Sequence, residues 1–66
     1  MQVARFTLVA GETEYADAPT LDDAVCGAKV IAGEEDREIT VLHPSGIACA
    51  WAQPDGRVIR LQGGPR

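Results

Sequence analysis

The chain has 66 residues and a mass of 7.0 kDa, with 30 apolar side chains, ten of them alanine, and ten acids against six Lys/Arg for a net charge of −4. That is material for one small domain, 1–62 with a short tail 63–66, and it excludes a second. The longest apolar run, six residues from Ile47 to Ala52, falls far short of the roughly 20 that a membrane helix needs. No basic start leads into an apolar stretch, so the expectation is a cytoplasmic protein without a membrane partner.

In chain order the pattern predicts two strands, a helix and three strands. Residues 2–9 alternate, with Ala4, Phe6 and Leu8 on one face and Val3, Arg5, Thr7 and Val9 on the other, the period of a half-buried strand. Ala10-Gly11-Glu12 turns the chain into a shorter antiparallel strand, 13–16, with Tyr15 inward and Pro19 closing it. A helix is expected over 21–32. Thr20 is its N-cap, Asp23 completes a capping box, and Asp22 and Asp23 put negative charge where the helix dipole favours it. Gly33 is read as its C-terminal stop. Leu21, Ala24, Val25, Ala28, Ile31 and Ala32 fall within an arc of about 120°, the core-facing stripe.

Beyond Glu34-Glu35-Asp36, read as an acidic loop, a turn recurs ten residues apart: His43-Pro44-Ser45-Gly46 and Gln53-Pro54-Asp55-Gly56. Proline presets the first central position of a type I turn and glycine accepts the positive φ that follows. A meander of strands 38–42, 47–52 and 57–62 results. The middle strand is apolar on both faces, so it should lie inside the sheet. Either Ala48, Ala50 and Ala52 face the helix, with Ile47, Cys49 and Trp51 facing outward or toward a second chain, or the reverse holds. The expected fold is α+β, ββαβββ, one helix on a mainly antiparallel sheet.

Parts for catalysis are few. His43 opens a turn and reads as a loop residue. Cys26 and Cys49 lie 23 positions apart with no Cys-x-x-Cys, and they read as reduced, small buried hydrophobes. Cys26, His43 and Cys49 lack the close ligand pair usual in zinc sites. Gly63-Gly64 has no helix behind it to cradle a phosphate. No catalytic residue, metal or cofactor is expected, and the chain is read as a non-enzyme.

Charge is the most uneven property. Residues 11–38 hold nine of the ten acids with Lys29 and Arg37, net −7, whereas 39–66 carry net +2. A run of this kind is often only a solvated face, yet it also steers a molecule toward basic protein surfaces. Candidate contact residues are Glu12, Glu14, Asp17, Asp22, Asp23, Glu34, Glu35 and Asp36. Asp23, Cys26, Gly27 and Val30 form a strip along the back of the helix, where Gly27 would permit close approach of another backbone. Val30 joins the contact set on that ground, as does Trp51, a residue type enriched at binding hot spots and equally suited to filling a poor core.

The opening MQVARFTLVAGETEYADAPTLDDAVCGAKV, with RLQGG at 60–64, resembles ubiquitin-like β-grasp proteins. That resemblance implies a carrier whose di-glycine is activated once Pro65 and Arg66 are trimmed. Separately, TLDDAVCGAKVIA after two strands is similar to the start of HicB-type antitoxins, which implies a capped helix lying across a small sheet. The function expected from the residues is a small acidic protein-interaction module, in its sharper form a phage-type inhibitor mimicking nucleic acid, with a basic protein surface as partner and self-association as a further expectation. Direct nucleic-acid binding through Arg57, Arg60, Arg66 and Trp51 is disfavoured by the sequence pI near 4.6, and because the period-two rule sends Arg57 and Arg60 to opposite faces.

Overall fold

The computed structural model describes residues 5–61. Within them lie β1 (Phe6–Ala10), β2 (Thr13–Ala18), α1 (Leu21–Glu35), β3 (Ile39–Leu42), β4 (Ala48–Ala52) and β5 (Val58–Arg60). The five strands form one antiparallel sheet in the order β2-β1-β3-β4-β5. One helix lies across one of its faces, as the ββαβββ reading expects. Both x-Pro-x-Gly turns form as predicted. Gly46 and Gly56 sit at φ 95° and 96°, and the hairpins close through His43 N–H to Ile47 O at 2.8 Å and Gln53 N–H to Arg57 O at 2.8 Å. Positions 2–4 of the first predicted strand, the end of the last and the tail fall outside the described residues.

The helix begins as its sequence dictates. Thr20 is extended, and its Oγ1 accepts the Asp23 N–H at 3.1 Å, satisfying one of the orphan donors of the first turn. The predicted stop at Gly33 is a correction. The helix runs through it to Glu35 and ends where Asp36 turns left-handed (φ 56°, ψ 45°) and donates its N–H to Ala32 O. Interior glycine costs about 1 kcal/mol relative to alanine, which one further turn of helix absorbs, and aspartate is among the few residues besides glycine that visit this backbone region. Glu34 and Glu35 are therefore helical, and the acidic loop of the sequence reading is the last turn of α1 with its cap.

The core is a close helix-to-sheet contact lined by alanine. Ala24, Val25, Ala28 and Ala32 of the helix are buried with Leu8, Ala10, Ala18, Ile39, Val41, Ala50 and Ala52 of the sheet, and Leu8, Ile39 and Val41 are the only large side chains fully buried among the described residues. Leu21 and Ile31 complete the predicted stripe at its half-buried margin. The choice left open for β4 is split by a register shift. Ala50 and Ala52 meet the helix layer with Trp51 half-buried on the other face. The shift sets Ala48 opposite Leu42, off the helix side, and leaves Cys49 packed against the core, so neither alternative holds along the whole strand; Ile47 is exposed.

Two bulges interrupt the ladders. Leu8 pairs Ala16 and Val9 pairs Glu14, so Tyr15 is the extra residue. Val41 pairs Ala50 and Leu42 pairs Ala48, so Cys49 is the other. Bulges re-aim side chains. The Tyr15 hydroxyl accepts from Arg37 Nη1 at 3.3 Å, and Cys49 Sγ donates to Val41 O at 3.5 Å.

Two further expectations need correction. Cys26 is exposed rather than buried, because at about 100° per residue it falls roughly 150° round the helix from the centre of the buried stripe, on the outer face. Gly27 does not belong to the outer strip: a Cβ built there meets Leu8 Cδ1 at 4.0 Å, an ordinary contact on the sheet side, and nothing in the structure requires glycine there.

Substitutions along one helix should therefore differ in sign. Gly33→Ala, with open space around its Cβ position, is expected to stabilise by about 0.5–1 kcal/mol. Ala28→Leu, at a fully buried position, is expected to destabilise by about 1–3 kcal/mol through overpacking. Thermal melts followed by circular dichroism read both, at roughly 4–8 °C per kcal/mol for a domain of this size.

Candidate functional site

The topology sorts the candidate residues by end of the sheet. The turn between β1 and β2, the start of β3 and the end of α1 lie at one end, since Ala10 pairs Thr13, Val9 pairs Thr40 and Arg37 reaches Tyr15. Glu12, Glu14, Glu34, Glu35, Asp36 and Glu38 gather there. The start of the helix lies at the other end. Its 15 residues separate Asp22 and Asp23 from Glu35 by about 20 Å at 1.5 Å per residue. The structure thus divides into two groups what the charge run suggests is one surface.

The two groups differ in how their charge is compensated. At the helix start, Asp17 pairs with Arg5 at 3.0 Å, Asp22 faces Arg60 at 3.7 Å, and Asp23 lies in the first turn, where the dipole welcomes a carboxylate. At the helix end no basic residue stands in the last turn. Glu34, Glu35 and Asp36 crowd the negative pole of the dipole, a placement that costs a few tenths of a kcal/mol per charge. Arg37 directs a hydrogen bond to Tyr15, and Glu38 accepts one from Gln53 Nε2. All of these groups are exposed except the half-buried Tyr15 and Gln53.

Val30 is exposed on the outer helix face, as expected of a contact residue, and Trp51 lies half-buried on the sheet face that no helix covers. Neither adjoins the other, since the sheet and helix layers lie between them. Sequence reasoning missed Glu38 and the apolar side chains that surround Trp51 on the open face. Alternation from Arg57 through Ile59 to Leu61 carries the signal for that face.

The residues weighed for catalysis have structural work. His43 Nδ1 accepts the Ser45 N–H at 3.1 Å, its ring stands edge-on to Phe6 with centroids 5.5 Å apart, and so the imidazole belongs to the turn and its contact with β1. Cys26 is on the helix exterior and Cys49 bonds to Val41 O; both are free thiols, and neither is a partner of His43. Among the described residues no three of His, Cys, Asp and Glu converge as a metal site would require, no pocket is formed, and no helix is long and apolar enough to cross a membrane. Of the arginines considered for nucleic-acid contact, Arg60 pairs across from the buried Ala50, Arg57 precedes Ile59 by two residues and so falls with it on the other face, and Arg66 lies outside the described residues.

Burial pushes the Cys49 thiol up from its usual value, an effect that the nearby Arg60 charge partly offsets. At a given pH it therefore holds less of the reactive thiolate. An aromatic disulfide reagent at mildly alkaline pH should release two kinetic phases, the fast one from Cys26 and abolished in Cys26→Ser, the slow one from Cys49 and merging with the first in denaturant.

No protein-family model matches this chain, and no curated protein or solved structure does so either.

Proposed function

We propose that this chain is a small non-enzymatic interaction module whose acidic end, Glu12, Glu14, Glu34, Glu35, Asp36 and Glu38, docks on a basic surface of a partner protein. The observation that carries the reading is the placement of three consecutive carboxylates at the negative pole of α1, with no cation in the last turn. A helix end selected for stability alone favours lysine or arginine there and glycine at the left-handed position. Local choices that oppose stability concentrate at functional sites. A cationic partner surface relieves the repulsion on binding, and that relief adds to affinity and speeds encounter.

The compensated acids, Asp17 and Asp22, contribute less to such docking, because an ion pair already made within the molecule must be broken or shared. Asp23 is further from the cluster and serves the helix start. Carboxylates spaced along one helical turn also present negative charge as a nucleic-acid backbone does. A nucleic-acid-binding protein, in the manner of a phage-type inhibitor's target, is accordingly the sharper form of the same reading.

The test pairs stability with binding. Neutralising the cluster as Glu34→Gln, Glu35→Gln and Asp36→Asn should raise the melting temperature at low salt by removing charge from the dipole's negative pole, and should abolish retention of basic prey by the immobilised protein. With the native sequence, retention should fall steeply as ionic strength rises from about 0.1 M to about 1 M and the Debye length shrinks from roughly 10 Å to roughly 3 Å. Retention that survives neutralisation refutes the proposal. Asp36→Gly, which keeps the cap and removes one charge, should stabilise by about 1 kcal/mol.

A further inference from the structure

A second surface lies on the sheet face that the helix leaves open and meets the acidic end only at Glu14. The buried side chains of the sheet, Leu8, Ala10, Ala18, Ile39, Val41, Ala50 and Ala52, all serve its helix side. On the other face the registers align Glu14, Val9, Thr40, Trp51 and Ile59 in one row across all five strands, since directly paired residues share a face. Asp17, Thr7 and Leu42 begin the adjacent row, and Leu61, whose N–H bonds to Cys49 O, extends the apolar area along β5. Ile59 and Leu61 are 52% and 54% exposed. Val9, Leu42 and Trp51 are half-buried without any covering element.

We propose that this face seats a second copy of the chain in a face-to-face, twofold-symmetric pair. Its charges select both the occupant and the orientation. The β2 edge carries Glu14, without an ion-pair partner among the described residues, while Arg57 flanks the β5 edge, 82% exposed and only loosely facing Asp55 at 3.8 Å. A face that is acidic along one edge, basic along the other and apolar between is complementary to itself. Of the two twofold axes that can lie between stacked sheets, the one across the strands sets β2 over β2, like charge on like. The axis along the strands sets β2 over the second copy's β5. Thr40 then lies at the axis, Val9 faces the second copy's Trp51, and Glu14 approaches the second copy's Arg57. The result is a four-layer sandwich, helix-sheet-sheet-helix, with sheets about 10 Å apart.

The patch spans roughly 24 Å across five strands and roughly 17 Å along them, about 800 Å² for the two copies together, below the range of stable interfaces and in that of weak, transient ones. The net charge of −4 on each copy opposes association further, so the pair is expected to dissociate on dilution through the micromolar range. Salt screens attraction and net repulsion alike, so a charge exchange is the cleaner test.

Sedimentation velocity across a dilution series should give a mass that rises from one chain toward two. The emission of Trp51, the only tryptophan, should move to shorter wavelength with the same midpoint. Ile59→Lys, at a position exposed in the single chain, should stay monomeric with unchanged circular dichroism. Glu14→Arg and Arg57→Glu should each weaken the pair by roughly tenfold, and the double exchange should recover most of that loss. A chain that remains monomeric at every concentration overturns the proposal and leaves the face to a different partner. A dimer indifferent to Ile59→Lys places the contact elsewhere and overturns it equally, and a double exchange without recovery overturns the orientation.

Discussion

Everything else in the molecule depends on how closely one helix can lie on its sheet. Ala24, Ala28 and Ala32 recur every four residues and are completely buried, and the strand that meets them supplies Ala50 and Ala52. Small side chains on both surfaces let backbone approach backbone, so the layer is thin and leaves little volume to fill. The stabilisation per residue is correspondingly modest, because apolar burial scales with area and alanine offers little of it. Larger side chains, Trp51, Ile59, Leu61, Ile47 and Val30, are left at the periphery or on the opposite face. A domain built in this way is held by geometry more than by mass of core, and its smallest dimension is 20 Å.

Local signals were legible in the sequence and tertiary choices were not. Thr20 announces the helix because a side-chain oxygen before an apolar-periodic run has one obvious use, and proline with glycine at fixed offsets defines both hairpin turns. The helix end was misread because Gly33 competes with Asp36 for the terminating role, and the outcome depends on whether Glu34 and Glu35 can extend the ladder. The face of β4 could not be read from alternation, since Ala48, Ala50 and Ala52 alternate with Ile47, Cys49 and Trp51 and every one of them is apolar. Packing against a helix already lined with alanine decided Ala50 and Ala52, and the register shift at Cys49, which alternation cannot announce, put Ala48 on the opposite side. Charge was legible as composition and misleading as geometry, because a run that is continuous in sequence is divided by the length of the helix inside it.

That division gives the molecule an electrostatic polarity that its net charge does not convey. At one end the acids are absorbed by Arg5, Arg60 and the positive pole of the helix. At the other they add to the negative pole. A partner carrying positive charge therefore encounters a molecule with a preferred end. The open sheet face is a separate matter of apolar area and edge charge, and the two surfaces share only Glu14. Occupation of one does not geometrically require occupation of the other.

The pairing of β1 with β3 has a kinetic meaning. Every other strand contact joins neighbours in the chain through a short turn, whereas Val9 and Thr40 meet across 31 positions with the helix between them. Closing a loop of that length costs about 3 kcal/mol of chain entropy beyond a constant term, and the cost falls before the alanine contacts can repay it. The hairpin with its helix and the three-strand meander are each locally closed units, and the folded domain begins at the moment they join. The Phe6 ring resting on His43 at the far end of that seam is the contact that marks it as shut.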